Sequence, residues 1–180
     1  MPNFDDFKLA IEAMTGGKNT VLFDDMEMPS VMVPFPKMKI SEIMSGGSQN
    51  IHPAFSVGGV EKDVLYISKF QNIVLNDRAY SLPMRDPKVY VTFDQALSFC
   101  RNKGKGWSLN PYSLWSAIAL WCRKNGTMPR GNNFWGKDYT YQHEKGVPCA
   151  WESKEAESHP GEPVRCLTGS GPATWYHKIG

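Results

Sequence analysis

Apolar positions in the first fifteen residues recur at helical spacing: Phe4, Phe7, Ile11 and Met14 fall on one side of a helix, with Asn3 placed to cap it. Gly16 and Gly17 then supply a stop. Alternation takes over after that. Strands are predicted at Thr20–Phe23 and at residues 31–35, 37–43 and 64–70, with Pro29, Pro34 and Pro36 marking edges or breaks. Residues 45–59 read as loop, rich in glycine around Pro53. Asn76-Asp77, between Ile73–Leu75 and residues 78–81, is the signature of a tight hairpin.

Helical periodicity then returns twice. Thr92-Phe93-Asp94-Gln95 is a capping box, and Phe93, Ala96, Leu97 and Cys100 form an apolar stripe that closes near Gly104. Asn110-Pro111 offers an N-cap and first-turn proline. Leu114, Trp115, Ile118, Trp121 and Cys122 are the expected inner face of that helix, and Gly126 is its stop. Past Thr127 periodicity fades into glycine, proline, asparagine and aromatics, predicting long loops with short strands. The fold class is therefore α+β: two helices, a small antiparallel sheet and a loop-rich C-terminal half. Residues 1–18 form an N-terminal helix, packed on the domain or on a second copy, and residues 19–180 form the domain.

Composition narrows the functions this fold can serve. Aromatics at 12% and charged residues at 21% describe an ordered globular chain. A net charge of +2, without a basic cluster, argues against nucleic acid as partner. The groups Arg101–Lys105 and Arg123–Arg130 follow the two helices, where basic side chains complement the helix C-terminus. No stretch approaches the roughly 18 apolar residues of a membrane span, so no membrane insertion is expected. Asp5 and Asp6 stand where a signal peptide would be basic, so synthesis in the cytoplasm is expected. Four cysteines are too few for a disulfide framework, and Cys100 and Cys122 read as buried free thiols.

The order of elements, with specific residues, resembles the formylglycine-generating-enzyme branch of the C-type lectin fold. Met32-Val33-Pro34-Phe35-Pro36 and Tyr66-Ile67-Ser68-Lys69-Phe70-Gln71-Asn72 look like that family's opening strands. Val91-Thr92-Phe93-Asp94-Gln95-Ala96 with Phe99-Cys100 is similar to its first-helix signature. Gly106-Trp107-Ser108-Leu109 leading to Trp115 and Ala117 occupies the place of its second, with Leu114 where an acidic residue is usual. A narrower resemblance is to phage and prophage proteins, many tail-associated and some diversified by retroelements. It rests on Ile118 to Cys122, Asn125 to Asn133, and Thr168 to Ala173 with Trp175 and His177. Proteins of that family continue into an aspartate-rich turn and a Gly-Asn-Val-Trp-Glu-Trp segment. This chain reaches Lys178-Ile179-Gly180 without it, so the family's ligand site is not expected intact.

The resemblance implies recognition, and the residues argue against catalysis. Formylglycine generation needs a close cysteine pair with copper, whereas Cys100, Cys122, Cys149 and Cys166 are far apart in sequence. His143, Cys149, His159 and Cys166 lack the tight pairs of a zinc site, although a Cys149–Cys166 disulfide stays open for an exported protein. Ser170 lacks a full nucleophile turn. The carboxylates Asp138, Glu144, Glu152, Glu155, Glu157 and Glu162 form no compact calcium loop. No metal, cofactor or catalytic residue is expected.

Aromatics in the irregular half remain. Phe134, Trp135, Tyr139, Tyr141 and Tyr176 are the expected ligand-binding residues, since large rings give rigid contact area beside adaptable polar groups. Trp175 reads as core. The resemblance thus points to a non-catalytic receptor-binding or display protein of a phage or prophage, made in the bacterial cytoplasm and, once assembled, carried on the virion tail. Its expected partners are a host-surface protein or glycan, its own copies and other virion proteins. A structural virion component making only subunit contacts is the alternative.

Overall fold

The structure is a computed structural model and describes residues 4–130, 138–144, 148–150 and 165–166. Helix α1 runs Phe4–Thr15. Gly16 and Gly17 end it at positive φ of 59° and 76°, a conformation that costs glycine little. The helix is tied to the strand that follows, because Thr20 Oγ1 donates to Glu12 Oε1 at 2.6 Å. Met14, expected on the inner stripe, is 85% exposed. It stands on the last turn, beyond the face that half-buries Phe7 and Ile11.

Strands β1 (Thr20–Phe23), β2 (Pro29–Pro36) and β5 (Val64–Ser68) form an antiparallel sheet with β2 in the middle. Val21 pairs with Val31, Val33 with Ile67, and Phe35 with Leu65. The prolines of β2 are accommodated by register. Odd-numbered residues face β5: Lys37 N–H donates to the Asp63 carbonyl and Lys69 N–H to the Val31 carbonyl. Pro34 and Pro36 therefore turn their nitrogens away from β5, past the end of β1, where no ladder donor is needed.

Between β2 and β5 the chain departs from expectation. The strand predicted at 37–43 is instead one helical turn, α2 (Ile40–Ile43), after an isolated bridge from Lys39 to Ile51. Polar–apolar alternation there also fits an i, i+3 pair. Ile43 goes into the core, and Gly47 packs so tightly on Ile40 that an added Cβ would meet it at 2.8 Å. The predicted loop at 45–59 contains a 3-10 turn, Pro53–Phe55, and strand β3 (Ser56–Val57), which pairs with β4 (Val60–Glu61). The hairpin forms as expected: β6 (Ile73–Leu75) and β7 (Arg78–Tyr80) flank Asn76 and Asp77, both at positive φ.

Helix α3 (Phe93–Arg101) opens on the expected capping box, with Thr92 Oγ1 accepting from the Gln95 amide and Gln95 Oε1 from the Thr92 amide. Its stripe is shallower than expected. Phe93, in the first turn, is 71% exposed, and Ala96, Leu97 and Cys100 are half-buried. Helix α4 (Tyr112–Lys124) takes Pro111 as its N-cap, one residue later than expected. Its inner face is Leu114, Ala117 and Cys122, flanked by Ile118 and Trp121. Trp115 is 58% exposed, which corrects the expected face. Leu114 and Trp115 lie about 100° apart around the helix, and the core takes the leucine. Gly126, at φ 64°, stops the helix as expected.

The core lies between β2 and α4. Val33, Phe35, Met38, Ile43, Ala54 and Phe55 meet Leu114, Ala117 and Cys122, with Phe35 and Phe55 stacked at 5.8 Å between centroids. Each of these phenylalanines is fully buried, worth roughly 2–3 kcal/mol relative to exposure. Strands β8 (Pro148–Ala150) and β9 (Arg165–Cys166) form a further two-stranded antiparallel pair. The described residues thus make an α+β molecule with small antiparallel sheets and no barrel.

Candidate recognition surface

Tyr139 and Tyr141 belong to the irregular segment 138–144 and are 68% and 40% exposed. The segment is shaped locally by Asp138, whose Oδ1 accepts the amides of Thr140 at 2.9 Å and Tyr141 at 3.2 Å. Arg130 then fixes Tyr141. Its guanidinium lies 3.5 Å from the ring centroid, while Nε and Nη2 donate to Glu144 at 2.7 and 3.1 Å. His143 meets the same ring edge-on, at 6.4 Å. Pairing raises the Arg130 pKa and lowers that of Glu144, each chiefly through the hydrogen bonds of the pair. The two-pronged contact holds a flexible arginine in one orientation, and its flat cation stiffens the tyrosine. The result is an aromatic–cation–carboxylate plate with little net charge, suited to stacking on a ring and exchanging hydrogen bonds at its rim. Phe134, Trp135 and Tyr176 lie outside the described residues.

A second feature was not legible in the sequence. Lys103, expected on the surface as a helix-terminal cation, is 2% exposed. Its Nζ donates to Ser30 Oγ at 2.7 Å, sits 3.4 Å from the Trp107 ring centroid and lies 4.8 Å from that of Tyr80. Burial pushes its pKa down to about 8, against the pull of nearby Asp24. Asp24 organises the β1–β2 turn by accepting the Met26 and Met28 amides at 2.9 Å each, and it also accepts from Tyr80 Oη at 2.7 Å and Arg78 at 3.1 Å. Burial pushes the Asp24 carboxyl up, but these four donors outweigh it and the pKa is lowered. Arg78 also reaches Asp25. Gly104 must be glycine here: its φ is 104° and a Cβ would stand 3.0 Å from Asp25. The only sequence signal was a lysine between Asn102 and Gly104, which looks like any helix end.

Beside this cluster lies a groove of about 460 Å³, lined by Tyr66, Ile67 and Ser68 of β5 and by residues 106–111, with Cys100, Lys103 and Leu114. Cys100 and Cys122 are free thiols, Cys122 buried and Cys100 half-buried. Burial raises the Cys100 pKa, the opposite of what a nucleophilic thiolate needs. Among the described residues no group of three or more His, Cys, Asp and Glu is arranged to hold a metal. The register of β8 and β9 sets Cys166 opposite Pro148, bringing the backbones at Cys149 and Cys166 onto adjacent strands. No helix among the described residues is long and apolar enough to cross a membrane. No family model and no curated protein matches the chain.

Proposed function

We propose that the chain is a non-catalytic recognition domain of the formylglycine-generating-enzyme type of C-type lectin fold, displayed by a phage or prophage to capture a host-surface protein or glycan. The observation that carries this reading is the braced plate at Arg130, Tyr141 and Glu144 beside exposed Tyr139, on a segment without helix or strand. Rigid aromatic area held by a neutralised cation is how a loop prepares a binding surface while losing little entropy on contact. Two helices and small antiparallel sheets are what an α+β fold of that kind requires; Trp115, expected on the inner face of α4, is exposed. The raised Cys100 pKa favours recognition over thiol chemistry.

The test is direct binding of the whole chain to intact bacteria and to immobilised surface polysaccharides. Saturable binding that changes little between low and moderate salt is the expected result, because the plate carries little net charge. Failure to bind any cell or polysaccharide, together with stable association with purified tail proteins, would favour a structural virion component. Thiol-dependent turnover that requires added copper would return the chain to the enzymes.

A further inference from the structure

Strand β5 is an outer strand of its sheet. Its hydrogen bonds to β2 use Asp63 and Lys69 and the alternate positions between them, as the Lys37–Asp63 and Lys69–Val31 bonds fix. Val64, Tyr66 and Ser68 therefore turn their N–H and C=O groups the other way, toward the open edge. That edge spans about 13 Å from Val64 to Ser68. At its far end the Phe70 amide is already taken by Ser81 Oγ at 2.9 Å. Among the described residues, the outward groups of Val64, Tyr66 and Ser68 have no hydrogen-bond partner. Most proteins cover or blunt such an edge; here it opens on the 460 Å³ groove.

The groove narrows the choice of occupant. Tyr66, Ile67 and Ser68 of β5 share its lining with residues 106–111. Ile67, Phe70, Trp107, Leu109 and Leu114 supply apolar lining. Among the described residues no carboxylate lines it, and the cation in its lining, Lys103, is engaged by Ser30. Asn72, also in the lining, holds an enclosed Oδ1 with no hydrogen-bond partner among the described residues. Only an extended backbone offers alternating donors and acceptors to match such an edge. We propose that the β5 edge and its groove bind an extended, uncharged, apolar segment of a partner polypeptide, which adds to the sheet as a strand. Main-chain pairing supplies most of the contact, so recognition tolerates sequence but demands an extended conformation.

Residue-resolved amide exchange on the whole chain tests this, with a peptide of alternating valine and threonine, made soluble by terminal lysines, as probe. In the free protein the Tyr66 and Ser68 amides should exchange fast while Leu65 and Ile67 are protected; the peptide should slow Tyr66 and Ser68 at least tenfold. Tyr66→Pro should abolish binding without unfolding the sheet, since proline there mimics the tolerated Pro34 and Pro36; if it fails to fold, Ser68→Pro serves the same purpose. Three results overturn the proposal. One is Tyr66 and Ser68 already as protected as their neighbours in the free chain, or protected only as concentration and dimerisation rise. Another is no slowing by the peptide. The last is a folded proline variant that binds it unchanged.

Discussion

Lys103 shows most sharply how surroundings remake a residue's chemistry. Facing it are Ser30 from β2, Asp24 after β1, Arg78 and Tyr80 from β7, Cys100 from α3 and the ring of Trp107. Burial holds its folded pKa down at about 8, against 10.5 for a hydrated lysine. Between those two pH values the unfolded chain binds more protons than the folded one, so stability rises with pH across the window. Tyr80 and Cys100, both raised by burial, act in the opposite sense at higher pH. Comparison with Lys103→Met cancels the Tyr80 contribution, while loss of the cation raises Cys100 further and so adds to the difference in the same direction. Wild type should gain about 1 kcal/mol on Lys103→Met between pH 7 and pH 9 in urea unfolding. A flat difference would mean that Lys103 is hydrated. Trp115 makes the converse case: exposed at 58%, its replacement by Ala should cost about 1 kcal/mol or less. A loss of roughly 3–5 kcal/mol would show it enclosed after all.

At the scale of elements, local rules succeed where the chain decides its own conformation. Asn76-Asp77 and Thr92 to Gln95 are self-contained signals, and both form as read. Because the Thr92 box is exposed and makes only its own two hydrogen bonds, Thr92→Ala should cost about 1 kcal/mol in chemical denaturation. An unchanged midpoint would mean that the helix is held wholly by packing. Where tertiary contacts arbitrate, the pattern was ambiguous. Residues 37–43 alternate as a strand would, yet the core accepts Ile43 from a helical turn, which no local signal reveals. Helix α4 has apolar side chains on two adjacent faces, and the core built by β2, α2 and the Pro53–Phe55 turn decides that Leu114 goes inward and Trp115 outward. The Asp24–Lys103 cluster was invisible for the same reason, since its members are scattered from residue 24 to residue 107.

Across the whole molecule, residues 20–126 are largely explained by packing, while the irregular half presents exposed aromatic surface at Tyr139 and Tyr141. Tyr139 and Tyr141 were legible as surface groups because they sit among polar neighbours. The Arg130–Glu144 brace was not, because fourteen residues separate its ends. The measurement that tests the recognition reading most directly is the affinity of Tyr139→Ala, Tyr141→Ala and the double variant for whichever bacterial surface component the parent binds. Melting temperatures should be measured alongside, since exposed substitutions shift stability by only about 0.5 kcal/mol. The expected result is at least a tenfold loss of affinity in the double variant with an unchanged melting temperature. A double variant that folds like the parent and binds like the parent would contradict the account.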